Sequence, residues 1–118
     1  MSGFAFTDRI DKKRRPPFRV KAVISMLRSE DGGRQTGIRS GYRPNHNFGP
    51  IDGRTFYIGQ VDFAVPGTIE PGQSAEVVVT FVTGPGLWDE LQPGRQWRIQ
   101  EGPKLVAVGE VQEVLGEI

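Results

Sequence analysis

The 118-residue chain has no cysteine and one histidine, His46. Without thiols there is neither a disulfide framework nor a thiolate metal site, and a reducing compartment is compatible with the chain. One histidine alone is too small a ligand set for a zinc centre. A Ser-His-Asp triad would have to use His46, yet no serine lies in a Gly-x-Ser-x-Gly elbow. Asp31-Gly32-Gly33-Arg34 is glycine-rich, but no Gly-x-x-x-x-Gly-Lys-Ser/Thr run makes it a phosphate cradle. The acids are scattered without ligand-like spacing. No catalytic residue, metal site or cofactor is therefore predicted, and the chain reads as a non-enzyme. Its apolar runs fall short of the roughly 18–20 residues that span a bilayer. The first residues also lack the apolar stretch of a secretory signal. The expectation is a soluble, cytoplasmic protein without a membrane partner.

What is abundant points to short strands. There are 16 glycines and 9 prolines, and together they favour tight turns over long helices. The length suits one core. Charge is unevenly spread beneath a formal net of +1. Residues 1–21 hold seven of the fifteen basic groups, and residues 22–118 hold eight basic and twelve acidic side chains. Residues 1–17, closed by Lys12-Lys13-Arg14-Arg15-Pro16-Pro17, read as a basic tail or linker that is poorly ordered or loosely docked. Phe4 and Phe6 are candidates for packing back on the body. Residues 18–118 read as the folded part.

Phe18–Leu27 places Val20, Ala22, Ile24 and Met26 on one face and alternates them with Arg19, Lys21, Val23 and Ser25. That is the period-two pattern of a half-buried strand. Further strands are expected over Gly37–Phe48 (bent or at an edge near Pro44), Thr55–Val65, Ser74–Val82, Gln96–Gln100 and Lys104–Leu115. Pro66-Gly67, Pro71-Gly72, Gly84-Pro85-Gly86, Pro93-Gly94 and Gly102-Pro103 punctuate them. Regular turns between short strands predict an all-β barrel or sandwich.

The run Glu30–Pro44 carries the most specific local signal. Asp31-Gly32-Gly33 between extended segments predicts a hairpin turn, with Arg28, Arg34, Arg39 and Arg43 crowding its tip. Two surface readings follow. In one, Arg34, Arg39, Arg43 and Arg54, with Gln35, Thr36, Asn45 and Asn47, donate to a phosphate backbone. In the other they are solvated loop residues, with Arg28 and Arg34 neutralised by Glu30 and Asp31. Tyr42, Tyr57, Trp88 and Trp97 read as core or rim packing, and His46 as an exposed or satisfied side chain.

In order and spacing, Glu30–Thr36, Gly41-Tyr42-Arg43-Pro44, Pro71-Gly72 before Val77–Thr80, Arg98-Ile99, Glu101-Gly102 and Val114-Leu115-Gly116 resemble the third, C-terminal domain of elongation factor Tu. The resemblance covers roughly residues 18–116. It implies a six-stranded antiparallel β-barrel with a binding, non-catalytic role in translation. The family's domain touches tRNA, packs on the GTPase domain and meets an exchange factor. Carried onto this sequence, the RNA- or partner-binding candidates are Arg34, Gln35, Thr36, Arg43, Asn45, Arg54, Gly102 and Lys104. The implied partner is tRNA or other structured RNA, or alternatively a protein that recognises elongation factor Tu. Several positions depart from the family pattern. Gln35 replaces its His, Gly37 its Pro, Asn45 its Gln, Arg54 its Thr, and Pro103-Lys104 its Gly-Arg. Exposed, clustered arginines would favour RNA, whereas an apolar patch would favour protein.

Overall fold

The computed structural model describes residues 17–117 apart from 65, 83 and 85. The elements are β1 (Phe18–Met26), a 3-10 turn (Ser29–Asp31), β2 (Ile38–Arg39), β3 (Asn45–Asn47), β4 (Tyr57–Asp62), β5 (Thr68–Ile69), β6 (Ser74–Phe81), α1 (Leu87–Glu90), β7 (Gln96–Glu101) and β8 (Lys104–Glu117). Six of the strands close an antiparallel barrel in the order β1-β6-β4-β3-β7-β8, and β2 and β5 form a separate ribbon.

Alternation fills the barrel. Val20, Ala22 and Ile24 from β1 are fully buried, as are Val79 and Phe81 from β6 and Ile99 from β7. Each large side chain so removed from water contributes about 1.5–3 kcal/mol before entropy is charged. Closure comes from β1 pairing with β8, Phe18 opposite Glu117 and Met26 opposite Ala107. Two register shifts along that ladder, at Arg19/Val20 and Lys21/Ala22, mark bulges in the long β8. Bulges bend a strand and raise its twist, which a small closed barrel requires.

The interior also holds a polar group. His46 on β3 is fully buried, with its Nδ1 accepting from Trp97 Nε1–H at 3.0 Å. That bond fixes the tautomer, so Nε2 carries the proton and donates to the Gly59 carbonyl at 3.0 Å. The Phe81 ring stands edge-on, its centroid 4.9 Å away. Space for this pair depends on two glycines. A Cβ on Gly59 would come within 2.9 Å of His46 Nε2, and one on Gly109 within 2.6 Å of the Trp97 ring. His46 is therefore a satisfied core residue.

Several expectations change here. The glycine turn exists, with Gly32 at φ 94°, but it does not close a hairpin. β1 pairs with β6 and β8, and β2 with β5. After the turn the chain crosses the barrel end instead of doubling back, because both edges of β1 are already occupied. The segment Gly37–Phe48 is two short strands in different sheets, separated by Gly41 at φ 97°. The third strand runs over Tyr57–Asp62, and Val65 lies outside the described residues. Of the tail assigned to residues 1–17, all but Pro17 lie outside them, as does Pro85 of the glycine–proline turn. Trp97 is a core residue, and Tyr42, Tyr57 and Trp88 pack partly buried against the core.

Candidate functional site

One barrel end is built from the Ser29–Tyr42 segment, the β2–β5 ribbon and the β7–β8 turn. Glu101, the last residue of β7, is its hub. The Arg34 guanidinium pairs with the Glu101 carboxylate, and the Tyr42 hydroxyl donates to the same oxygen. Arg34 lies over the Tyr42 ring, 5.4 Å from the centroid, and its Nε donates to the Thr36 carbonyl at 3.1 Å. Partial burial works against ionising Glu101. Bonds from Tyr42 and Arg34 outweigh it and hold the carboxyl below its ordinary range. Burial and the adjacent Glu101 push the Tyr42 phenol well above its usual range. Gly102 and Lys104 sit in the adjoining turn, with Lys104 paired across from Glu101 in the ladder. Residues 34–42, with Thr68 and Glu70, line an open groove of about 730 Å³ here.

The predicted site residues thus separate. Arg34, Thr36, Gly102 and Lys104 gather around Glu101, with exposed Gln35 on the groove wall. Arg43 lies on the barrel wall, its Nε donating to Gln60 Oε1 at 2.8 Å, and Gln60 in turn bonds Asp62. Asn45 is a β3 ladder residue between Ile58 and Gln100. Arg54 belongs to the β3–β4 connection at the opposite end. Arg28 is neutralised locally, 3.0 Å from Asp31. Arg34 is neutralised across the chain by Glu101, not by the acids beside it. Arg39 and Arg54, the two arginines of the set without a partner among the described residues, stand at opposite ends of the barrel. The expected arginine cluster is therefore not present as a free cationic face.

The opposite end differs in chemistry. Among the described residues, the large apolar side chains exposed to solvent are Ile51, Phe56, Ile58, Val82, Val114 and Leu115. They occupy the β3–β4 connection, the start of β4, the exit of β6 and the last turns of β8, all at the end where β1 begins. Ile58 and Val82 are 62% and 57% exposed, too open to be structural contacts. They are also neighbours, since the Val82 amide donates to the Ile58 carbonyl at 2.9 Å. Phe48, from the same connection, turns inward and stacks on Trp97 at 5.3 Å. Arg95 and Arg98 hold the connection by donating to the Phe48 and Gly49 carbonyls.

Sequence reasoning missed both Glu101 as a hub and this apolar rim. The family pattern contained Glu101, but its partners lie 59 and 67 residues away in the chain. Ile58 and Val82 sit in β-branched runs that read as core.

Among the described residues, no group of three His, Cys, Asp or Glu side chains is placed to hold a metal ion. No described helix is long and apolar enough to cross a membrane.

A closed six-stranded antiparallel barrel with one polar and one apolar end is the architecture against which the comparisons stand. No protein-family model matches the chain. Over 99 residues it is 31% identical to elongation factor Tu 2 of Streptomyces avermitilis, which covers 84% of this chain and 23% of that relative. The chain therefore spans about a quarter of the length of the elongation factor it resembles.

Proposed function

We propose that the chain is a non-catalytic binding module, related to part of elongation factor Tu, that meets a protein partner through its apolar rim. The observation that carries this reading is the placement of six exposed apolar side chains at one barrel end. Exposed apolar groups gathered on one surface and edged by polar ones are the anatomy of a protein interface. Here Arg54, Asp52 and Glu117 supply that polar edge.

RNA is the weaker partner. Its affinity rests on free cationic groups that neutralise phosphates and release counterions. Arg28, Arg34 and Arg43 already have partners within the chain. Residues 22–118 also carry four more acidic than basic groups.

The test is titration of a structured RNA at two salt concentrations into wild type and an Arg34→Ala/Arg43→Ala/Arg54→Ala variant. The expected result is no affinity tighter than the roughly micromolar range of non-specific contact, and the same value for both proteins. Tighter binding that falls with the three arginines, with a shallower salt slope in the variant, would replace the protein partner with RNA.

A further inference from the structure

β8 outruns its neighbour at the apolar end. The last backbone bonds on its β7 side run from the Val111 amide to the Arg95 carbonyl at 2.9 Å and from the Gly94 amide to the Val111 carbonyl at 2.7 Å. Past Val111 the strand continues to Glu117, and among the described residues its ladder there is with β1 alone. Residues 112–117 thus present a bare strand edge about 20 Å long, at the rim where Val114 and Leu115 are exposed. Such an edge is a row of amide and carbonyl groups ready to pair with another chain. The register shift at Arg19/Val20 leaves Leu115 as an extra residue. A bulge re-aims side chains, and two successive apolar ones stay exposed here.

We propose that this edge takes up, as an added strand, an extended segment of the protein partner that alternates basic with apolar residues. The proposal rests on the reading of this end as a protein-binding rim and adds how the partner pairs there. Main-chain bonds along the edge supply affinity, and side chains supply selectivity. Charge sets the chemistry. Glu113 and Glu117 are exposed, and neither has an ion-pair partner among the described residues. Of the cations on the flanking strands, Lys21 lies 3.8 Å from Glu76 and Arg98 donates to the Gly49 carbonyl. Arg95, where the edge begins, is held by Glu90 at 3.0 Å. Arg19 stands on β1, across β8 from the open side. Beside the start of the edge, Gln96, Val108, Glu110 and Gln112 help line a cavity of about 200 Å³. It gives a basic side chain of the added strand a place next to Glu110.

A second copy is the poorer occupant. Pairing two such edges would bring the carboxylates of both copies into one short ladder, and like charges across a ladder destabilise it. The β2–β5 ribbon also has outer edges, but each of its strands is two residues long, too short to hold a segment.

The test uses the full chain, residue-resolved hydrogen exchange and a synthetic peptide of alternating Arg and Val. In the free chain, amides of residues 112–117 that face away from β1 should exchange fast. The peptide should slow them about tenfold or more and leave β2 and β5 unchanged. The same peptide N-methylated at every residue keeps its charge but cannot pair as a strand, so its binding should be lost. Glu113→Lys/Glu117→Lys should weaken the Arg–Val peptide about tenfold or more, because cross-strand charge pairs turn from attraction to repulsion. Ile58→Ser/Val82→Ser, two or more strands from β8 in the barrel order, should leave it within about twofold. No binding of the Arg–Val peptide, equal binding of the methylated one, or indifference to Glu113→Lys/Glu117→Lys would overturn the added strand. So would an edge already protected in the dilute free chain, which means that the chain covers itself. Protection that appears only as concentration rises would mean a second copy, and would equally overturn it. Each of these outcomes leaves the rim reading to its own test, the loss of a captured protein with Ile58→Ser/Val82→Ser.

Discussion

The two ends of the barrel reverse the roles their chemistry suggests. The polar end carries the residues that sequence comparison marks as contacts, yet Arg34, Tyr42 and Glu101 satisfy one another and tie three chain segments together. The apolar end looks like core by composition, yet Ile58 and Val82 are mostly exposed. A charged cluster whose members are already paired has little left to offer a ligand, because a new partner must first replace an existing bond. An exposed apolar group has no such internal competitor. The difference shows a self-satisfied network at the polar end and exposed apolar side chains at the other, and it is on this difference that the proposed partner site rests.

Acid separates the regions most strongly. Desolvation lowers the His46 pKa from 6.5 to about 4 in the folded chain, against the opposing bond to Gly59. The unfolded chain therefore takes up a proton below pH 6.5 that the folded chain refuses until about pH 4. Stability should be full above pH 6.5 and fall progressively to pH 4, by about 3 kcal/mol from His46 alone. Glu101 acts later. Its folded pKa lies below 4.5, so its contribution is present above that value and is lost as pH falls further. Urea unfolding at pH 7.5, 5 and 3.5 should show the interior fail first and the polar end next. A stability unchanged between pH 7.5 and 4.5 would contradict the buried, neutral His46.

Substitution at the polar end comes next in size. Glu101→Ala leaves the Arg34 guanidinium and the Tyr42 hydroxyl without their shared acceptor. The expected cost is about 1–3 kcal/mol by chemical denaturation, the range for stranding hydrogen-bonded groups that are not fully solvated. A change near zero would mean that water replaces the carboxylate, and that this end is a free surface after all.

The smallest stability effect belongs to the apolar end. Ile58→Ser and Val82→Ser should each shift stability by no more than about 0.5 kcal/mol, as surface positions do. A loss of about 2 kcal/mol at either position would show a packing role, and the contrast between the ends would dissolve.

Much of the barrel was legible because its signals are local. Val20, Ala22, Ile24 and Met26 alternate with Arg19, Lys21, Val23 and Ser25, and the β-branched run within Ser74–Val82 disfavours helix. Turn residues then divide the strands at nearly the observed places. What stayed hidden depends on long-range pairing. Asp31-Gly32 is a hairpin signal wherever the flanking strands have free edges, but β1 spends both of its edges on β6 and β8. Pro44 announced a bend or an edge in the second strand, though not that the chain divides at Gly41 into halves that join different sheets. Arg34 beside Asp31 looked locally neutralised, and only the closed barrel brings Glu101 to it. His46 sat in a polar stretch, and nothing short of the Trp97 and Gly59 contacts shows it to be interior. The exposure of Ile58 and Val82 was illegible for the same reason, since β-branched residues look alike on either face of a strand.

The central claim is that recognition belongs to the apolar rim and not to the arginine set. Its most direct measurement is parallel capture from native lysate with three full-length baits: wild type, Ile58→Ser/Val82→Ser, and Arg34→Ala/Arg43→Ala/Arg54→Ala. Each eluate is scored for protein and for RNA, and each protein candidate is re-tested by calorimetry with purified components. The account predicts a protein that binds wild type and the arginine variant directly, and that is lost with the rim variant. Retention by the rim variant together with loss from the arginine variant would contradict it.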